Sequence, residues 1–330
     1  MHQRIVMLRA ILLVCTTLIV TPGVGALAQT SGPSVPRDPG TAVSPVLRSQ
    51  VLLDRVGFSP GEVDGAAGIS VRRAVSAFQE SRGLPVTGRV DDETLQKLKD
   101  ESGEHQPLVT YVLSEADVAG PFQPDIPTDL VEQSKLDSLG YRNVLEELAE
   151  KFHASPALLK RLNAGQAFTT AGEQIIVPNV TPFDAAAATK PVPPAGLRIV
   201  VAKKTSSLTV EDEKGQVLFF APVTTGSQHD PLPIGKWKVT GVQLAPIFHY
   251  NPNLFWDANP SHSKAKIPAG PNNPVGIAWI DINKPHWGIH GTSEPSMIGR
   301  TQSHGCVRMT NWDVRRLLEF AKAGTLVDFQ

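Results

Sequence analysis

Three stretches of linker composition divide this chain, and that division limits its architecture more than any single motif. Residues 29–45 are rich in Pro, Ser, Gly and Thr, residues 101–127 end on Pro121, Pro124 and Pro127, and residues 181–196 are rich in Ala and Pro. Between them stand compact segments at 46–100, 128–180 and 197–330, and 330 residues give room for two or three domains. At the start, Arg4 and Arg9 precede an apolar run from Ala10 to Val20, followed by Ala26-Leu27-Ala28. This is the pattern of a cleaved export leader over 1–28, too short for an ordinary transmembrane helix. The expected location is therefore outside the cytoplasm, with no stable membrane span after cleavage. A net charge of −1 gives no reason to expect nucleic acid as a partner.

The first segment reads as a three-helix unit. Val51, Leu52 and Val56 mark a first helix, and Val71, Ala74, Val75 and Phe78 share one face of a second over Ile69 to Ser81. Asp91 is placed to cap a third, with Leu95 and Leu98 inward. In the second segment Leu145, Leu148, Ala149 and Phe152 have helical spacing behind Asn143 and Glu146, placed like a capping box. Ser155-Pro156 opens another helix with Leu158, Leu159 and Leu162, and Gln174 to Pro178 reads as a closing strand. Asp129 to Leu139 reads as helical rather than extended.

The third segment changes to strands, at Ile199–Val201, Ser207–Val210, Val217–Phe219 and Trp237–Thr240, with one late helix capped around Thr310 and Asp313. Within it lies Gly288-Ile289-His290-Gly291-Thr292, then Ser303-His304-Gly305-Cys306-Val307-Arg308-Met309. The only other cysteine, Cys15, falls in the leader, so an exported mature chain would carry a single thiol. A leftover cysteine outside the cytoplasm is either an intermolecular bridge or a working thiol. A thiol nucleophile needs a base and backbone N–H groups for the developing oxyanion, which the glycine-flanked Gly305–Cys306 turn is suited to present. A shift of the thiol from about 8.5 to roughly 6 would multiply thiolate about 30-fold. The weaker nucleophile would then give back roughly 13-fold. A base beside such a thiol would therefore contribute mainly by proton transfer, worth roughly 10²–10⁴-fold.

Three family resemblances organise these observations. Asp64-Gly65, Arg73-Ala74-Val75-x-x-Phe78-Gln79, Gly83-Leu84, Thr87-Gly88 and Val90-Asp91-x-x-Thr94-x-x-x-Leu98 resemble the peptidoglycan-binding domain of wall enzymes. The helix, helix, strand order with Leu162-Asn163 and Val177-Pro178 resembles the LysM module, which recognises N-acetylglucosamine-containing glycans, although its usual first strand is not evident. Pro233-x-Gly235, Gly270-Pro271-x-Asn273-Pro274-x-Gly276 and the His290 and Cys306 motifs resemble the catalytic domain of L,D-transpeptidases over 197–330. The implied fold class is multidomain: an all-α three-helix domain, a LysM-like α+β module and a mainly-β catalytic domain of the L,D-transpeptidase type.

The last resemblance implies that Cys306 is the nucleophile and His290 its proton donor and acceptor. A peptidoglycan stem tetrapeptide would lose its terminal D-alanine, and the acyl group would pass to a neighbouring stem to join third-position residues. An outer-membrane lipoprotein lysine or water, the latter making a carboxypeptidase, are alternative acceptors. Gly305, Ser303, His304 and Gly291 are expected to support the loop or oxyanion, and Arg308, Trp287 and Thr292 to contact substrate. Arg308 could instead tie the loop to a local acid. No cofactor is expected. Two rivals stand beside this reading: zinc held by His286, His290, His304 and Cys306, and a non-catalytic wall anchor.

Overall fold

The computed structural model describes residues 43–103, 106–185 and 193–330, which belong to one compact unit, Ser34–Gln330. The expected leader, most of the first linker and the middle of the third lie outside the described residues. Among the described residues no helix is long and apolar enough to cross a membrane.

The helical N-terminal domain follows from its caps and apolar spacing. Helix α1 (Pro45–Arg55) starts at Ser44, whose hydroxyl accepts from Leu47 N at 3.1 Å. Helix α2 (Ile69–Ser81) buries Ala74, Val75 and Phe78, and α3 (Asp92–Ser102) is capped by Asp91. Gln79 is fully buried: Nε2 donates to Thr87, Arg89 and Thr94, while Oε1 accepts from Thr87 N and Gly88 N. The Phe78-Gln79, Thr87-Gly88 and Thr94 motif is therefore a clamp between helix and loop.

The second module differs from expectation at its start. Strand β1 (Leu108–Val112) lies inside the stretch read as a linker over 101–127, and helix α4 (Glu115–Ala119) follows it behind a Ser114/Asp117 capping box. After α5 (Leu130–Gln133) come α6 (Val144–Lys151), α7 (Pro156–Leu162) and β2 (Gln174–Pro178), which pairs antiparallel with β1. A strand thus precedes the helices of this segment, separated from α6 by residues 113–143. A strand of five residues with only Leu108 buried, whose partner lies more than sixty positions away, leaves little local signal. The expected boundary at 128 is corrected accordingly. Asn163 ties the end of α7 to β2, donating to Leu159 O and Ile176 O and accepting from Ile176 N.

The C-terminal domain contains β3 (Arg198–Ala202), β4 (Ser207–Glu211), β5 (Val217–Pro222) and β6 (Gly235–Leu244). A hairpin of β7 (Phe248–Tyr250) and β8 (Ala265–Ile267) leads to β9 (Ala278–Ile282), β10 (Gly288–His290), β11 (Val307–Arg308), α8 (Asn311–Leu317) and β12 (Leu326–Phe329). Eight strands form one sheet in the order β11-β10-β9-β6-β12-β3-β4-β5. Trp312, Val314, Leu317 and Leu318 of the α8 region bury into the same core as Ile199, Ile280, Ile289 and Val327.

Both helical modules dock on this domain. Phe58 bridges Phe220, with Ser59 N donating to Phe220 O at 2.8 Å and Phe220 N to Gly57 O at 2.9 Å. On the other side Leu139 N donates to Ala269 O and Asn272 N to Leu139 O, both at 3.0 Å. Gly270 has φ +148°, and a Cβ there would collide with the Leu139 backbone. The glycine- and proline-rich stretch Gly270–Gly276 is therefore the seat of the second module.

Candidate active site

The sheet brings the two key residues onto adjoining strands. Strands β10 and β11 run parallel with His290 opposite Arg308, so Cys306 enters β11 beside the strand that carries His290. His290, Cys306 and Arg308 line one cleft of about 980 Å³ with Trp279, Trp287, His286 and His304. The β7–β8 hairpin supplies the opposite wall through Phe248, Tyr250 and Phe255, joined by Thr128, Asp129 and Leu130 of the second module. Asp129 accepts from His262 Nε2 at 2.9 Å, and the other ring nitrogen of His262 bonds Tyr250 Oη at 3.0 Å. The inserted segment thus braces the hairpin over the cleft.

His290 is buried and stacks on Trp279 at 5.2 Å between centroids. Its Nδ1 is 2.7 Å from Gly291 O. A carbonyl only accepts, so Nδ1 carries the hydrogen and Nε2 keeps its lone pair. Burial, reinforced by the Arg308 charge, pushes the imidazole down to about 3. Burial pushes the Cys306 thiol up to about 11, against the opposing pull of Gly288 N–H and Arg308. The thiol donates to His286 O at 3.6 Å. At rest the pair is therefore thiol and neutral imidazole. The rate of substrate acylation is expected to form a plateau from about pH 5 to about pH 9, because the base is already free above its value and the thiol keeps its proton below its own. Stopped-flow acylation across that range checks this, and a bell with limbs near pH 6 and pH 8.5 would refute it.

The loop residues have specific tasks. Ser303 Oγ donates to Cys306 O at 2.6 Å and accepts from Gly305 N at 3.2 Å. Gly305 N–H thus donates within its own turn. Among the described residues Cys306 N–H has no partner and stays available. Gly305 adopts φ +107°, and a Cβ there would strike the Trp287 ring, so Trp287 underlies the turn as well as lining the cleft. His304 Nε2 bonds Asp257 Oδ1 at 2.7 Å and packs on Phe255, tying the cysteine loop to the hairpin wall. Arg308 Nε is buried without a hydrogen-bond partner, and among the described residues the guanidinium forms no ion pair, while the Glu294 carboxylate acts on it from farther away.

Thr292 does not line the cleft: it is buried, and its hydroxyl accepts from Glu294 N. His286 sits at φ +67° in the turn before β10 rather than on a shared strand face with His290. Among the described residues no group of three His, Cys, Asp or Glu side chains could hold a metal ion.

One residue escaped the sequence reading. Asn311, at the start of α8, is fully buried behind His290. Its Oδ1 accepts from Ile277 N and Thr292 N, both at 3.2 Å. Its Nδ2 donates to Glu150 Oε1 at 2.9 Å, Glu150 Oε2 at 3.2 Å and Pro271 O at 3.1 Å. A Cβ on Gly276 or Gly291 would collide with Oδ1, which explains both glycines. Gly291 needs no unusual φ, and that was the available signal: its missing side chain makes room for something.

Comparison with known proteins agrees with this geometry. Residues 196–328 match the L,D-transpeptidase catalytic domain family and residues 43–98 a peptidoglycan-binding domain family. YkuD of Bacillus licheniformis, named as an L,D-transpeptidase, is 30% identical over 187 residues, covering 56% of this chain and 91% of that protein. YbiS of Escherichia coli K12, named likewise, is 45% identical over 65 residues, 20% of this chain and 21% of that one. An L,D-transpeptidase structure from Xylanimonas cellulosilytica superposes with a TM-score of 0.35 at 14% identity, over 86% of this chain and 92% of that one, too loosely to add weight. With a catalytic-domain match around the His290 and Cys306 strands and relatives of this kind, the chain belongs to the L,D-transpeptidase family.

Proposed function

We propose that this protein is a cysteine acyltransferase that cross-links peptidoglycan stem tetrapeptides through Cys306. The observation that carries the reading is a neutral His290 whose Nδ1–H is held by Gly291 O, leaving Nε2 as a base in the cleft that contains the thiol. As sulfur attacks the carbonyl of the third stem residue, the thiol proton passes to His290 Nε2 and the C–S bond forms. Cys306 N–H stabilises the oxyanion. Collapse breaks the C–N bond, and Nε2 returns its proton to the departing D-alanine nitrogen. The acceptor amine then gives a proton to Nε2 as it attacks the thioester, and sulfur leaves with that proton. Arg308, whose buried Nε has no hydrogen-bond partner, supplies a bidentate site for a substrate carboxylate.

The accessory modules support a cell-wall setting, and with it export. The β1–α6–α7–β2 arrangement, two antiparallel strands flanking two helices, fits a LysM-like module interrupted by residues 113–143. The reading is tested by incubating purified protein with disaccharide-tetrapeptide and analysing the products by mass spectrometry. Cross-linked dimer with free D-alanine is expected. Tripeptide alone would make the enzyme a carboxypeptidase. Unchanged substrate in the presence of an alkylatable Cys306 would leave the wall-anchor reading, and a lipoprotein lysine acceptor is tested by adding a lysine-ended peptide.

A further inference from the structure

We propose that Asn311 is a positioning residue for His290 and that Glu150, from the second module, sets the orientation in which Asn311 does this. The inference rests on the proposed role of His290. Its core is one peptide group. Gly291 C=O accepts from His290 Nδ1 at 2.7 Å, and the N–H of the same planar unit, on Thr292, donates to Asn311 Oδ1 at 3.2 Å. In a trans peptide C=O and N–H point in opposite directions, so holding the N–H fixes where the C=O points. Asn311 therefore aims the carbonyl that selects the His290 tautomer and ring angle.

The carboxamide must itself present oxygen rather than nitrogen to that peptide. On one side two backbone N–H groups, Ile277 and Thr292, demand an acceptor. On the other, Pro271 O and the Glu150 carboxyl demand a donor. Glu150 is 6% exposed, lies on α6, and also receives Tyr141 Oη at 3.2 Å. Burial pushes its carboxyl up to about 8, so near neutrality it is a protonated, uncharged group, and a glutamine carboxamide can take its place. A module outside the catalytic domain thereby completes the support of the catalytic base. A base displaced by about 1 Å can lose 10²-fold in rate.

The full chain carrying Glu150→Ala or Glu150→Gln is compared with wild type for D-alanine release from disaccharide-tetrapeptide. We expect E150A to lower kcat roughly 10- to 100-fold with KM within about twofold, and E150Q to stay within about threefold of wild type. In ¹⁵N-histidine-labelled protein, the hydrogen-bonded Nδ1–H resonance of His290 is expected in wild type and E150Q and lost or shifted in E150A. If E150A does not fold, Glu150→Asp withdraws the carboxyl by about one carbon–carbon bond and is expected to show the same kcat loss and the same resonance change. Folded E150A or E150D with wild-type kcat overturns the proposal, as does an Nε2–H tautomer in wild type. If wild type releases no D-alanine, the transferase reading fails, while the resonance comparison still decides the positioning role.

Discussion

Replacing His290 by glutamine is expected to lower D-alanine release by roughly 10²–10⁴-fold, and raising the pH to about 11, high enough to ionise Cys306, is expected not to restore it. Alkali supplies thiolate, but a side-chain amide neither protonates the departing amine nor accepts the proton of the incoming one. The substitution is close in volume and keeps a donor that can reach Gly291 O, the partner of Nδ1. Loss of turnover therefore reports chemistry rather than collapse. Release of D-alanine against pH for wild type and variant is the measurement, and full recovery at high pH would assign the base elsewhere. The resting neutral pair makes the expectation sharper, since the site does not store a preformed thiolate that could act without the imidazole.

Gly305→Ala is the second large effect. At φ +107° an L-residue costs about 1–3 kcal/mol. The added carbon would also meet the ring of Trp287, which is half-buried and packed against the core, for a further ~1–3 kcal/mol. The turn is expected to relax by moving Cys306 N–H off the oxyanion, lowering acylation by about 10²-fold or more. Iodoacetamide labelling of Cys306 is expected to persist, because a small alkylator needs only the sulfur. An unchanged melting temperature together with unchanged acylation would show that the turn tolerates a side chain and that Trp287 does not constrain it.

The legible parts of this molecule are those whose signals are local. Helix α2 was readable because Val71, Ala74, Val75 and Phe78 repeat at helical spacing, and the cap at Asp91 because a carboxylate stands where Thr94 N needs an acceptor. His290 and Cys306 were readable as a pair because glycines crowd both, and the strand that follows Cys306 runs beside the one that ends on His290. Strand β1 was hidden because its partner is remote and acidic, proline-bearing residues follow it. Glu150 was hidden more deeply: between Ala149 and Lys151 it looks like the solvent side of an amphipathic helix, yet it is buried because Asn311 meets it from another domain. Asn311 lies between Thr310 and Asp313 of the helix cap, where nothing local marks it. Its meaning depends on four segments that sequence proximity does not connect.

The bridge between Phe58 and Phe220 carries one more consequence. Strand β5 is the last strand of its sheet, and an unprotected outer strand is a template for self-association. Here Gly57 O and Ser59 N occupy the outward hydrogen-bonding groups of Phe220, and Phe220 itself sinks into the helical core with Phe58 and Phe78. The peptidoglycan-binding domain is thus also an edge cover. A fragment lacking residues 43–98 would uncover an apolar strand with open backbone groups, and its aggregation would reflect that edge rather than any defect in the chemistry of the site.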